Sequence, residues 1–90
     1  MRGDALGLVE IVGLAAACEA ADVAVKTANV ELLGFEPSGR GMVTVKIAGD
    51  VAAVTAAVDA ACAAANRLSK VYASRVIARA DSAVVEEFTP

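Results

Sequence analysis

The centre of the chain, residues 30–54, reads VELLGFEPSGRGMVTVKIAGDVAAV. Residues 42–48 alternate valine or isoleucine with polar or small residues, a period of two that predicts a strand with one buried face. Residues 30–36 form a second apolar run, and residues 37–41 between the two runs are turn formers, including two glycines that can adopt positive φ. The two predicted strands therefore pair as a hairpin.

A helix and a strand are predicted on each side of this hairpin. On its C-terminal side, Asp50 is a good N-cap for a helix over residues 51–68, and a strand follows over residues 71–79. On its N-terminal side, residues 5–12 read as a strand and residues 14–28 follow helical spacing. Each predicted helix therefore connects a strand of the hairpin to a strand outside the hairpin in the sequence.

The resulting order is β-α-β-β-α-β, followed by a short C-terminal helix capped by Asp81 or Ser82 and ending near Phe88. This order predicts an α/β fold of the α+β type, the ferredoxin-like arrangement. We expect a four-stranded antiparallel sheet with both helices on one face, in a single domain spanning residues 1–90. The fold alone does not assign a function, because many unrelated activities use it.

Both helices are rich in small apolar residues. The stripe predicted to face the core of the first helix is Leu14, Cys18, Ala21, Val25 and Ala28. The stripe predicted for the second helix is Val51, Val54, Val58, Cys62 and Ala65. Its opposite face consists of Ala52, Ala53, Ala56, Ala60, Ala63 and Ala64. One sheet can cover one side of a helix, so this alanine face predicts contact with another subunit; the helix propensity of alanine is the alternative explanation.

The overall composition also predicts association. Of the 90 residues, 58% are hydrophobic, and the mean hydropathy is +0.62. A chain this short buries only about 60–65% of its extended surface, so apolar positions remain for a partner surface. The uncharged runs are shorter than the roughly 20 residues of a spanning helix, and the start of the chain lacks a signal-peptide pattern. We therefore expect a cytoplasmic protein that contacts no membrane.

Charge and residue types argue against other classes of function. The net charge is −3 and no basic cluster contains aromatic residues, so nucleic acid is not an expected partner. The chain has no histidine, and its two cysteines read as buried free thiols. We expect no catalytic residues, metal or cofactor. The polar residues that alternate along the strands read as a solvated or subunit-facing sheet surface; they are Glu10, Glu31, Glu36, Thr44, Lys46 and Arg75.

Several local sequences together resemble one known family. They are ALGLVE at residues 5–10, EAADVAVKTANVEL at residues 19–32, GRG at residues 39–41, VTV at residues 43–45 and GDV at residues 49–51. This combination is similar to single-domain bacterial microcompartment shell proteins over nearly the whole chain. The resemblance implies six-fold symmetric, disc-shaped homo-hexamers that tile, with other shell proteins, into a polyhedral shell around encapsulated enzymes.

The resemblance also assigns roles to particular residues. Lys26 matches the family's edge lysine and Arg79 its edge-inserting arginine, with Asp22 and Asn29 in the same edge motif. The family's pore loop corresponds to Ser38, Gly39, Arg40 and Gly41. A six-fold axis through this loop would gather six copies of Arg40 into a pore. Guanidinium groups bind carboxylate and phosphate well, so we expect the pore to favour small anionic metabolites.

Two other interpretations remain open from the residues alone. Lys26 could be a solvated helix residue paired with Asp22, and Arg40 an ordinary exposed hairpin tip. The chain could also be a ferredoxin-like regulatory domain that binds a small anion near the two glycines of the turn. A hexamer of about 54 kDa that forms sheets would favour the shell protein, whereas a dimer or tetramer that binds a metabolite would favour the regulator.

Overall fold

The computed structural model describes residues 5–78. Its elements in chain order are β1 (Ala5–Val12), α1 (Leu14–Thr27), β2 (Glu31–Gly39), β3 (Met42–Gly49), α2 (Val51–Leu68) and β4 (Val71–Ala78). This order confirms the predicted β-α-β-β-α-β arrangement. The predicted C-terminal helix, with Asp81, Ser82 and Phe88, lies outside the described residues.

The four strands form one antiparallel sheet in the order β2-β3-β1-β4. The two strands predicted as a hairpin are neighbours, and β1 lies between β3 and β4. Alternate residues of the two central strands face the helices, and both helices pack on this side of the sheet. The buried strand side chains there include Val9, Ile11, Val45 and Ile47. The other side of the sheet is called the open face below.

Helix α2 lies unusually close to the sheet at Gly7. A Cβ atom at this position would lie 2.8 Å from methyl carbons of Val54 and Val58 and 2.9 Å from Ile47. These distances are shorter than any ordinary carbon contact, and β-branched side chains have little rotamer freedom with which to move away. Glycine at residue 7 therefore allows α2 to seat against β1.

The start of α2 agrees with the sequence prediction. The Asp50 carboxylate accepts a hydrogen bond from the Ala53 backbone N–H at 2.9 Å, which satisfies one of the free donors at the helix N-terminus. Helix α1 has no such side-chain cap, and Gly13 at its start has φ 92°. A positive φ of this size is readily adopted by glycine, so Gly13 allows the sharp turn from β1 into α1.

The predicted buried stripe of α1 is wrong. The buried residues are Ala16, Ala17, Ala20, Ala21 and Ala24, so of the predicted set Ala21 is buried and Ala28, just after the helix, is half-buried against the core. Leu14 is 61% exposed, and Cys18 and Val25 are exposed as well. The alanine side faces inward because small side chains let α1 approach both the sheet and α2 closely. The larger apolar side chains, and the Cys18 thiol, therefore point outward.

The prediction for α2 is closer to the structure. Val54, Val58 and Ala65 are buried as predicted, whereas Val51 is exposed and Cys62 is half-buried. Most of the alanine face remains at the surface: Ala52, Ala56 and Ala63 are exposed, Ala53 and Ala60 are half-buried, and Ala64 is buried. The outer side of α2 is therefore a small-residue surface.

Helix α2 is also long and apolar enough, by length and composition, to cross a membrane, and it is the one such helix among residues 5–78. Core helices of soluble proteins meet the same criterion. The side of α2 that carries Val54 and Val58 packs against the sheet, and Asp59 lies in the middle of its sequence.

Candidate pore turn and assembly edge

The connection between β2 and β3 is a tight two-residue turn. Strand β2 continues to Gly39, three residues beyond the end predicted from the sequence, so Arg40 and Gly41 alone form the loop. Their φ angles are 58° and 77°. Positive φ at both central residues is the signature of a type I′ turn, whose twist matches that of paired strands. Gly39 pairs with Met42 directly before the turn, after a register shift between Pro37 and Gly39.

Arg40 is the one non-glycine residue with positive φ in the described part of the chain. This conformation costs an L-residue roughly 1–2 kcal/mol, and type I′ turns favour glycine, asparagine and aspartate. Arg40 is exposed, and a Cβ at Gly39 or Gly41 would have no atom within 4 Å. The turn thus presents a guanidinium group in open space, at a position where arginine is not the conformational preference.

The turn is attached to the rest of the domain on one side. The Gly13 N–H donates a hydrogen bond to the Gly41 carbonyl oxygen at 2.9 Å, and Val12 pairs with Met42 in the sheet. The start of α1 therefore lies beside the turn. Ser38, the remaining residue of the predicted pore loop, is exposed at the end of β2.

Lys26 and Asp22 form the ion pair predicted from their spacing. The Lys26 Nζ donates to Asp22 Oδ2 at 2.9 Å, and the two side chains are 73% and 51% exposed. This hydrogen bond, followed by the negative charge of Asp22, raises the pKa of Lys26 above its ordinary value. Asn29 follows the helix and is exposed. Arg79, the fourth residue assigned to the edge, lies outside the described residues.

The edge residues and the turn lie at opposite ends of α1. The helix begins beside the turn at Leu14 and reaches Lys26 twelve residues later. At 1.5 Å per residue, this separates the two ends by about 18 Å. The structure thus brings Ser38, Gly39, Arg40 and Gly41 together at one end, and Asp22, Lys26 and Asn29 together at the other.

Large exposed apolar side chains near the turn were missed by the sequence analysis. The Ser69 hydroxyl donates to the Val12 carbonyl oxygen at 2.7 Å, which holds the α2–β4 connection against the end of β1. Three residues around this junction are strongly exposed: Leu14 at 61%, Leu68 at 63% and Tyr72 at 64%. We call these three residues the apolar rim. Exposed apolar groups of this kind mark interaction surfaces, and the excess hydrophobic content was their one signal in the sequence.

The open face of the sheet carries the polar residues that alternate along the strands. Glu10 and Glu36 both pair with Thr44, while Lys46 and Arg75 both lie opposite Leu8. Glu31 pairs with Ala48 on the same side. The strand register therefore gathers these groups on one surface.

Lys46 is the buried one of these polar residues. It is 3% exposed, and its Nζ donates to Glu36 Oε1 at 2.8 Å. Two shallow concavities of about 270 and 290 Å³ lie on this face and share Leu8 and Thr44. The sequence had assigned Lys46 to a solvated or subunit-facing surface; its burial within a single chain was not anticipated.

Within residues 5–78, no group of three or more cysteine, aspartate, glutamate or histidine side chains is placed to hold a metal ion. The two thiols are free, with Cys18 exposed on α1 and Cys62 half-buried on α2. The surfaces described above are the turn that carries Arg40, the apolar rim, and the end of α1 that carries the Asp22–Lys26 pair.

Comparison with known proteins gives one consistent result. Residues 5–80 match the BMC domain family. The chain is 56% identical over 79 residues to the bacterial microcompartment shell protein PduA of Citrobacter freundii, covering 88% of this chain and 85% of that protein. It is 44% identical over 85 residues to the shell protein EutM of Salmonella typhimurium, covering 94% and 88% of the two chains.

A solved structure agrees with these sequence matches. The crystal structure of a microcompartments protein from Desulfitobacterium hafniense superimposes with a TM-score of 0.81 at 35% identity, covering 89% of this chain. This chain spans 43% of that protein, so the comparison concerns one part of a longer relative. The sequence matches, the shared fold and the proteins named as shell components agree. The chain belongs to the BMC-domain family of bacterial microcompartment shell proteins.

Proposed function

We propose that this chain forms cyclic homo-hexamers that tile into the facets of a bacterial microcompartment shell, with the Arg40 turn at the six-fold axis and Lys26 at the outer circumference of the hexamer. The family supports the structural role in a shell and favours it over the regulatory alternative, since the relatives are named as shell proteins. The hexamer, the pore and the edge are our assignments. In this arrangement the protein works in the cytoplasm around encapsulated enzymes, without a catalytic centre of its own.

The observation that carries the proposal is the separation of the two exposed cationic features. The Arg40 turn lies beside the start of α1, and Lys26 lies about 18 Å along the helix from Leu14. A wedge-shaped subunit in a ring needs one end at the axis and the other at the circumference. The tight turn suits the axis, because a Cβ at Gly39 or Gly41 would have no described atom within 4 Å, and the solvated Asp22–Lys26 pair suits the circumference.

Apolar surface beside the turn supports close contact between copies. Leu14, Leu68 and Tyr72 are each more than 60% exposed, and they flank the end that the proposal places nearest the axis. Neighbouring subunits in a ring are closest there, so this surface would be covered on assembly. The small-residue outer side of α2 offers a second surface that another backbone can approach closely.

The proposed pore follows from the position of Arg40. Six guanidinium groups around one axis repel one another, so the opening must be hydrated or hold anions. Such a ring attracts anions from solution and disfavours cations, as charged rings do in channels. Arginine binds carboxylate and phosphate groups through parallel hydrogen bonds. We therefore assign small anionic metabolites as the preferred molecules in transit.

Assembly is tested directly by mass and by imaging. Native mass spectrometry should give six copies of the 9.0 kDa chain, about 54 kDa, and electron microscopy should show hexagonal sheets. A dimer or tetramer as the largest specific species would contradict the proposal.

For the pore, a structure determined with sulfate should place an anion on the axis within hydrogen-bond distance of Arg40. Guanidinium groups turned away from an empty axis would contradict the selectivity.

A further inference from the structure

Strand β2, which leads into the Arg40 turn, is weakly supported. It is an edge strand, and every residue from 35 to 41 is exposed. Its pairing with β3 shifts register twice, between Leu32 and Gly34 and again between Pro37 and Gly39. Proline has no backbone N–H to donate to the ladder. The end of β2 therefore needs another attachment if the turn is to keep one position.

Lys46 on β3 supplies such an attachment. Its Nζ donates to Glu36 Oε1 at 2.8 Å, between the two register shifts. Lys46 lies opposite Gly34, whereas Glu36 pairs with Thr44, so the contact runs diagonally across the two strands. Lys46 therefore reaches Glu36 across the β2–β3 pair, two residues away from the position directly opposite it.

The two partners differ strongly in exposure. The Lys46 side chain is 4% exposed and that of Glu36 is 62% exposed. Lys46 belongs to β3, which is paired on both sides and is therefore the fixed partner. A buried ammonium needs a hydrogen-bonded counter-charge, so there is a strong penalty for Glu36 to move away. The ion pair therefore links the exposed end of β2 to β3.

We propose that the Lys46–Glu36 ion pair is a positioning device that fixes the end of β2 and, through it, the direction of the Arg40 turn. Glu36 lies in β2, four residues before Arg40, and the second register shift and Gly39 lie between them. The effect of this positioning on transport depends on the proposed pore. The mechanical link between the ion pair and the turn does not depend on the pore. Lys46 and Glu36 therefore act through Arg40 and do not themselves need to contact a metabolite.

Hydrogen exchange measured by mass spectrometry on the assembled full chain tests this link. Lys46→Met removes the ammonium but keeps an unbranched apolar side chain, and Glu36→Gln keeps the shape of the acceptor without its charge. In both variants we expect the peptide covering residues 35–43 to exchange about tenfold faster or more, while the α2 peptide covering residues 51–58 changes less than about twofold. Glu31→Gln is the matched control, because Glu31 lies on the same strand and faces the same side, opposite Ala48.

The outcomes separate positioning from general stability. Faster exchange confined to residues 35–43 in both variants, with the control unchanged, supports the proposal. Equal acceleration in α2, the same effect in Glu31→Gln, or no acceleration overturns it. If Glu36→Gln fails to fold, Lys46→Met alone decides, since it leaves no buried charge.

A second measurement ties the pair to the proposed pore. Sulfate is titrated into the parent protein and into Lys46→Met. The variant should bind sulfate several-fold more weakly than the parent, although Arg40 is intact in both. Equal sulfate affinity would overturn the role of the pair in presenting Arg40. If the parent protein binds no sulfate, the pore proposal fails, and the exchange result alone decides whether the pair positions the turn.

Discussion

Arg40→Asn should stabilise the protein, or leave its stability unchanged, while it removes anion binding. Arg40 has φ 58°, a conformation that costs an L-residue roughly 1–2 kcal/mol. Asparagine is favoured in this region because its short side chain can hydrogen-bond locally. Arg40 is exposed and makes no salt bridge or side-chain hydrogen bond with another described residue, so little favourable contact is lost. We expect a gain of up to about 1 kcal/mol per subunit.

In a hexamer the same substitution also removes repulsion between six guanidinium groups, so both effects act in one direction. For a domain of this size, 1 kcal/mol corresponds to a Tm change of about 4–8 °C. Thermal unfolding of variant and parent should be compared at equal protein concentration, because association makes Tm depend on concentration. Sulfate binding should be measured on the same samples, and we expect it to be lost.

Arg67→Gln is the control for loss of an arginine. Arg67 lies in the last turn of α2 and is exposed, in an ordinary helical conformation. This variant should keep sulfate binding and should show no rise in Tm. A fall in Tm of more than about 4 °C for Arg40→Asn would refute the argument from backbone conformation. Sulfate binding retained by Arg40→Asn would refute the pore assignment.

Four further predictions concern assembly and packing. Lys26→Asp should leave soluble hexamers but abolish sheets in electron microscopy; sheets formed by this variant would show that the edge assignment is wrong. Because the pKa of Lys26 is raised, its positive charge is present below the ordinary lysine pKa and is lost as the pH rises through the higher folded value. Sheet assembly should therefore fail in that alkaline range, and at lower pH in Asp22→Asn than in the parent. Gly7→Ala should cost about 1–3 kcal/mol in chemical unfolding, since its Cβ would lie 2.8–2.9 Å from side chains of α2 and β3. Ala53→Leu and Ala56→Leu should each lower hexamer content in sizing experiments, with a cost of roughly 1–3 kcal/mol if that face packs closely; unchanged content for both would remove the alanine-face argument.

The parts of the fold predicted from sequence are those set by local rules. The alternation over β3, the glycine-rich turn and the Asp50 cap each depend on a few neighbouring residues, and together they gave the order of all six described elements. The Asp22–Lys26 pair is likewise an i,i+4 contact within one helix. None of these features requires knowledge of how distant segments pack.

The inward face of α1 was not predictable from periodicity in the same way. Two sets of residues in α1 repeat at helical spacing: the leucine, valine and cysteine side chains, and the alanines. Hydrophobicity favours the bulkier side chains as the core. The actual choice depends on the distance between α1, α2 and the sheet, which selects alanine. Distance between layers is a tertiary property that one helix does not encode.

The burial of Lys46 was missed for a related reason. Alternation along β3 placed it on the same side as Thr44, a pattern typical of a solvated surface. Its contact with Glu36 depends on the irregular register of β2, which pairs Glu36 with Thr44 and places the carboxylate within reach of the lysine. A register shift in a neighbouring strand has no counterpart in the sequence of β3 itself.

The two-residue turn also limits how the chemistry of the proposed opening could be redesigned. Gly41 has φ 77° and Gly39 has φ 84°, so position 40 is the one place in the turn where a side chain already stands. Its left-handed backbone accepts asparagine, aspartate or glycine with little strain and disfavours valine, isoleucine or threonine. An amide, a carboxylate or a bare backbone could thus replace the guanidinium by a single substitution. A branched apolar lining would require a longer loop, and with it a new register for the hairpin.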